Sequence, residues 1–447
     1  MTAARLRVDL VAPPFAGHLH PIIAAALAIQ SLAAVRIIST PAAMSRIQQA
    51  GLCGIPILAE VDQTLAEIAN PAKPAGSNPL RLWRQFQSSF KVMEAFARAL
   101  DELYRSSAPD DRPQLLIADF TVGVAGPVAK RYGITWWTSH PSPCVIETAD
   151  GPPAYLGGLV PRDDLIGRLR DYLGRRSIRS FKRLLGVLHK KRLAALGIPR
   201  IYRSDGTEAA YSGARILALG LPEFEFAHRW PPAVTFIGPL LWSPPGRGPA
   251  LPVVTGDTRH ILVTLGTHQL SRKQNLLTAL NRVAQAYPHW QLHFSAGGHD
   301  ELQDLTASAP ANLHVHTWVD YPTWVPRMDA VLHHGGAGIL WECLRAGVPQ
   351  LVLPQDYDQF DHAARLEAAG LARRLRHLRD LAAALAKALD TPYSTAAIAY
   401  QKALAPERAE QRLRLLLAQH FSLPQSDAAC DSVSRQPGAQ EQDHDRG

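Results

Sequence analysis

The chain has 447 residues, 47% of them apolar and 19% charged, with 47 Lys and Arg against 39 Asp and Glu for a net charge of +8. That length exceeds one ordinary core and suits two domains of about 200 residues, each with enough apolar material to bury. The surplus of charge is too small for a dedicated nucleic-acid binder, and four cysteines without a CxxC pair exclude a disulfide scaffold and a zinc knuckle.

No charged residue lies between Asp9 and Arg36, yet Pro13, Pro14, Gly17, His18, His20 and Pro21 interrupt that stretch. It suits neither a membrane span of about 20 apolar residues nor a secretory leader, so the expected location is cytoplasmic. Arg7–Ala12 reads as a strand and Pro13–Gly17 as a loop. The alanine-rich run Ile22–Leu32 follows as a helix, then Val35–Thr40 as a β-branched strand. This is a βαβ unit. A long helix is predicted over Arg81–Tyr104, with strands at Leu115–Ala118 and Gly133–Thr138. Residues 238–256 hold five prolines and interrupt the pattern, which marks a linker. Beyond them the alternation restarts, with strands at His260–Leu265, Leu292–Ala296, Leu313–His316, Ala330–His333 and Gln350–Leu353 and a helix over 273–286. The class is α/β with two Rossmann-like domains and a cleft between them. The predicted units are 1–237, the linker at 238–256, 257–405, a C-terminal helix at 406–421 and a disordered polar tail at 422–447.

The strongest feature is Val331-Leu332-His333-His334-Gly335-Gly336-Ala337-Gly338, a strand running into a glycine loop with a helix-like segment, Ile339–Arg345, behind it. Glycines admit close approach of a ligand to the backbone, and a helix N-terminus presents unpaired N–H groups to a phosphate. A plain strand-to-helix turn is the alternative. The loop is neither a Walker loop nor a GxGxxG fingerprint. Gly266 and Thr267 end another strand, Trp318 offers a ring for a base, and Glu342 offers a carboxylate for sugar hydroxyls. Pro354–Asp361 crowds polar groups after a further strand. Together these outline a nucleotide, a diphosphate and a sugar.

From about residue 257 to 370 the chain resembles the nucleotide-sugar half of the family 1, UDP-glycosyltransferase-like enzymes of GT-B fold, in the bacterial natural-product or carotenoid type. The pieces stand in family order: T-L-G-T, W-V, H-H-G-G-A-G, E, G-V-P and D-Q, with G-H-x-x-P at Gly17–Pro21 near the start. The resemblance implies that His334, Gly335, Gly336, Ala337, Gly338, Gly266 and Thr267 meet the donor diphosphate. It implies that Trp318 stacks on the base, Glu342 binds ribose, and Asp358 with Gln359 holds the transferred sugar. Two departures stand out: Ile339 replaces a Thr or Ser after the glycine loop, and Trp318-Val319-Asp320-Tyr321 replaces W-x-P-Q.

In the first domain, an imidazole with a pKa near 6.5 can take a proton from a hydroxyl at neutral pH. The resemblance makes His18 the general base and Asp119, at the end of the strand Leu115–Ala118, the carboxylate that orients it. His20 is secondary. No cofactor and no metal are expected, and a nucleoside-diphosphate sugar is the donor substrate.

Residues 162–192 carry eleven basic and three acidic residues, a surplus equal to that of the whole chain. Leucines interleave with the charges, so the segment reads as a helix pair with a solvated basic face or as a peripheral contact with an anionic membrane. The function expected is an inverting transfer of a hexose or deoxyhexose from a UDP- or dTDP-sugar to a hydroxyl of an apolar small molecule, and no nucleic-acid partner. A nonenzymatic nucleotide-sugar-binding protein is the alternative, and it would not need His18.

Overall fold

The computed structural model describes residues 5–59, 62–69, 79–245, 249, 252, 258–267, 270–298, 302, 309–390 and 395–424. Most of the predicted linker after residue 245, and the predicted tail from residue 425 on, lie outside the described residues. The first half runs β1 (Leu6–Val11), α1 (Ala16–Ile29), β2 (Ala33–Ser39), α2 (Met44–Gln49), β3 (Cys53–Pro56), α3 (Asp62–Ala69) and α4 (Pro79–Ser106). It continues through β4 (Leu115–Asp119), α5 (Ala125–Arg131), β5 (Thr135–His140), α6 (Leu165–Leu188), α7 (Lys190–Ala195), β6 (Ile216–Ala218) and β7 (Val234–Phe236). These strands form one parallel sheet in the order β3-β2-β1-β4-β5-β6-β7.

The second half runs β8 (Arg259–Thr264), α8 (Leu270–Ala286), β9 (Trp290–Ser295), β10 (Leu313–His316), α9 (Tyr321–Trp324), β11 (Ala330–His333) and α10 (Ala337–Ala346). Then come β12 (Gln350–Val352), α11 (Gln359–Ala368), β13 (Ala372–Arg374), α12 (Leu381–Leu389), α13 (Thr395–Ala403) and α14 (Pro406–Phe421). The second sheet is β10-β9-β8-β11-β12-β13. Its order repeats that of the first sheet through six strands. In each, the chain starts centrally, winds outward on one side, then returns to wind outward on the other. The crevice where the direction reverses lies between β1 and β4 in one sheet and between β8 and β11 in the other, the place where open α/β sheets take ligands.

Sheets covered on both faces need strands that are apolar almost throughout. Every residue of β4 and of β11 is buried accordingly. One exception within β1, Asp9, is held by a bidentate Arg36 at 2.8 and 2.9 Å and by the Tyr104 hydroxyl. The helix α14 crosses back over the first domain, where Leu413 and Leu417 are fully buried in the core that contains α1. Each such burial stabilises by about 1.5–3 kcal/mol. Arg414 Nε also donates to the carbonyl of Ala28 at 2.6 Å. The last described helix thus ties the two halves together.

Candidate active site

In the first domain β1 delivers the chain to Phe15, which caps α1. His18, which the sequence places in a loop ahead of a helix beginning at Ile22, is instead the third residue of α1 and lies in its first turn. The helix also begins six residues before the predicted Ile22. It carries Pro21 internally, which forfeits one intrahelical bond, while the complete burial of Leu19, Ile22 and Ile23 holds the turn in place. Gly17 therefore makes no special turn, and a Cβ there would meet nothing within 4 Å.

His18 Nδ1 lies 3.1 Å from both carboxylate oxygens of Asp119. The partners come from either side of the crevice, since β1 and β4 are neighbours with Val11 opposite Ala118. Asp119 is buried and also accepts from the backbone N–H of Thr121 at 3.0 Å and from its hydroxyl. Burial alone would push the His18 pKa down, but the charge and hydrogen bond of Asp119, with a contribution from Asp358, hold it above 6.5. Burial would likewise raise Asp119, and His18 with Thr121 keeps its carboxyl below the usual range. With Nδ1–H given to Asp119, Nε2 is the basic nitrogen. The Phe120 ring lies 5.4 Å from His18 and stacks at 4.2 Å on His140. Burial pushes His140 to about 3, so it is neutral.

In the second domain the glycine loop is built by its own histidines. His333 accepts the Gly335 N–H on Nδ1 at 3.0 Å, and its Nε2 lies 2.9 Å from the Gln350 side-chain oxygen. His362 Nδ1 donates to the Gly335 carbonyl at 2.8 Å. Gly335 has φ +93°, and a Cβ there would sit 3.1 Å from the Gln359 carbonyl. Gly336 caps α10, so the N–H groups of its first turn, Ala337 and Gly338 included, face the end of the sheet. The helix starts two residues before the predicted Ile339. The His334 ring fills the space between this turn and Gly266, for a Cβ on Gly336 or Gly266 would lie 2.4 or 3.0 Å from it. Thr267 follows Gly266 at the end of β8, as the order of the motifs implies.

The remaining candidates divide. Asp358 and Gln359 open α11, and Asp358 accepts from the Ser142 hydroxyl, across the two domains. The Gln359 oxygen is occupied by the backbone N–H groups of Gln355 and Asp356 at 2.9 and 3.2 Å. Its amide group is then the donor it can offer. Glu342 is buried, with Oε2 engaged by Arg345 on its own helix at 2.8 Å. Burial raises its pKa against the lowering effect of Arg345. Trp318 is half-buried and meets His20 edge-on at 6.4 Å, while Trp242 meets the other side of His20 at 5.0 Å. Burial and the neighbouring Arg46 push His20 to about 3. It is thus a neutral ring wedged between the domains and not a second base.

Sequence reasoning missed Ser142, His140 and Trp242. The only available signal was position, since His140 ends β5 and Ser142 follows it at the same end of the sheet as Asp119. It also missed the domain contacts. Arg365 of α11 and Glu225 of the first domain make a buried ion pair at 2.7 Å, and the Tyr155 N–H reaches Asp361 at 2.9 Å.

Comparison with known proteins shows what this chain resembles. Residues 294–411 match the family described as erythromycin biosynthesis protein CIII-like, C-terminal domain. The 4'-demethylrebeccamycin synthase of Lentzea aerocolonigenes is 29% identical over 294 residues, 62% of this chain and 66% of that enzyme. The vancomycin aglycone glucosyltransferase of Amycolatopsis orientalis is 24% identical over 433 residues, 92% of this chain and 97% of that one. Among solved structures, a spinosyn rhamnosyltransferase complexed with thymidine diphosphate superposes with a TM-score of 0.62 at 20% identity, covering 92% of this chain and 100% of the other. The chain has the GT-B fold and resembles the family 1 glycosyltransferases. It is an enzyme of the transferase class, which sets aside the nonenzymatic alternative. Among the described residues no helix is long and apolar enough to cross a membrane, and no group of three or more His, Cys, Asp or Glu is placed to hold a metal ion.

Proposed function

We propose that this glycosyltransferase inverts: His18 Nε2 takes the proton of an acceptor hydroxyl as the oxygen attacks the anomeric carbon of a UDP- or dTDP-sugar. The bond to the nucleoside diphosphate breaks on the opposite face. The departing charge meets the N–H groups at the start of α10 together with His334, Gly266 and Thr267, which need no reorganisation at that moment. Trp318 stacks on the base, and Glu342 offers Oε1 to the ribose because Oε2 belongs to Arg345. Asp358 accepts from the sugar hydroxyls and the Gln359 amide donates to them.

The observation that carries this reading is the His18–Asp119 pair at 3.1 Å, on the crevice of a sheet whose counterpart bears the glycine loop. The thymidine diphosphate held by the spinosyn relative supports a dTDP-linked donor. The acceptor is an apolar hydroxylated small molecule, and residues 162–192 give such a compound a route from a membrane surface. The units 1–237 and 257–405 then divide the work into acceptor and donor halves. The test is to incubate the purified protein with dTDP- and UDP-sugars and a panel of apolar alcohols and phenols, with products read by mass spectrometry and anomeric configuration by NMR. An α-linked donor should give a β-linked product. Retention of configuration would sink the inverting mechanism.

A further inference from the structure

The basic segment is not the solvated basic face expected of it. The inward side of α6 carries the glycines and the ion pairs. A Cβ on Gly174 would lie 2.6 Å from the Pro153 ring, and one on Gly186 would lie 2.6 Å from Ile201. Lys182 reaches inward to Glu147 at 2.8 Å and Glu208 at 2.5 Å, and Asp171 is buried. These contacts fix the roll of the helix. The side left facing solvent is rich in large apolar residues: Leu165, Ile166, Leu169, Leu173, Leu184 and Val187 are between 52% and 81% exposed. At 3.6 residues per turn they fall within an arc of about 100°. The exposed Arg176 and Arg183 lie within that arc on the Leu165 side, with Ser180 near its middle, and Arg168, Lys190 and Lys191 are exposed beside it.

We propose that this outward face of α6 docks onto an anionic lipid bilayer. Six large apolar side chains crowded on one face open to water are unfavourable in a lone soluble protein. Apolar side chains interspersed with long arginines are a pattern that lies in a headgroup interface, with the apolar groups among acyl chains and the guanidinium groups reaching up to phosphates. A second copy of the chain is the poorer occupant, because pairing two such faces would bring the same arginines together. Charge complementarity selects the lipid. The inner side of the same helix, with Tyr172, Arg175 and Arg179, walls a cavity of about 200 Å³ against the segment from Cys144 to Tyr155. A bilayer-dissolved acceptor would meet this wall first. That link rests on the glycosyl-transfer reading, whereas the docking itself does not.

The experiment is sedimentation of the whole protein with vesicles of phosphatidylcholine containing phosphatidylglycerol, compared with phosphatidylcholine alone, without donor or acceptor. The wild type should sediment with the anionic vesicles, bind the neutral ones far less, and be released by salt. Arg176→Gln with Arg183→Gln should weaken binding by about 30-fold, at about fivefold for each charge. Ile166→Glu with Leu169→Glu should abolish it. All four positions are exposed, so the melting temperature and nucleotide binding of both variants should match wild type. Failure of the wild type to sediment with anionic vesicles, or equal binding by the variants, overturns the proposal. Self-association of the wild type that the glutamate variant abolishes, without vesicle binding, makes the occupant a second copy instead.

Discussion

The two sheets share one winding order and load their crevices differently. At the first, between β1 and β4, stand two titratable side chains, His18 and Asp119. At the second, between β8 and β11, stand glycines, a helix start and a histidine packed between them. Topology supplies the place, and the side chains supply the chemistry. A proton acceptor needs a shifted pKa and one fixed tautomer, which takes a partner carboxylate in a buried setting. A diphosphate needs donors already aimed at it, which backbone groups provide without titrating. The crevices are therefore not interchangeable, and perturbing each should disturb a different step.

The largest effect should come from the first crevice. His18→Ala removes the proton acceptor and should lower turnover by about 10²–10⁴-fold, the usual worth of general-base catalysis. Donor affinity by calorimetry should hardly change, because the groups proposed to hold the donor sit on the other sheet. Wild-type turnover in this variant would remove His18 from the chemistry, and a parallel loss of donor affinity would erase the division between the sheets.

Next in size is the joint that holds the two crevices together. Arg365 and Glu225 are 5% and 2% exposed, and the guanidinium also lies 4.6 Å from the Phe226 ring centroid. Truncating one member of a buried pair strands the other charge, at a cost of about 3–5 kcal/mol. Arg365→Met should lower stability by that order in a denaturant melt. Arg365→Met combined with Glu225→Gln should recover part of it. No recovery would mean the pair acts through packing alone.

The second crevice should respond more gently. His334→Ala should weaken dTDP or UDP binding roughly tenfold, the worth of one hydrogen bond to a charged group, while the pH profile of turnover stays that of wild type. An unchanged dissociation constant would remove His334 from the donor site.

How legible these regions were depends on the range of the interactions that make them. Strands such as Leu115–Ala118 and Ala330–His333 could be read directly, because a strand buried on both faces must be apolar throughout. The start of α1 could not. Pro21 and the two histidines argue locally for a loop, and only packing of Leu19 and Ile22 beneath the sheet overrides them. The roll of α6 was hidden for the same reason, since the partners that turn Lys182 inward, Glu147 and Glu208, are far along the chain. At the site, motif order brought out His18, Asp119 and the glycine loop, which other residues of their own domains hold in place. The reach of Asp358 to Ser142 joins residues 216 apart on different domains, and no local pattern encodes it.

The subtlest prediction tests what Asp119 does for His18. Burial favours the neutral imidazole, while the Asp119 charge and hydrogen bond favour the cation, and the balance leaves the pKa above 6.5. A base works only when deprotonated, so kcat/KM should climb with rising pH through a value above 6.5. Asp119→Asn keeps the shape but deletes the charge. Burial is then opposed by less, the His18 pKa falls, and the acid limb should move to lower pH even as the maximal rate drops. The drop follows because the imidazolium formed during transfer loses its counter-charge, and because an amide can fix the wrong tautomer. A carboxylate that merely braced the ring would give a lower rate with the limb unmoved. The same variant should leave nucleotide affinity at wild-type strength, since Asp119 ends a strand of the first sheet and the glycine loop follows a strand of the second. Measuring rate against pH and affinity on one preparation separates the two outcomes, and a limb that stays in place would reduce Asp119 to a steric support.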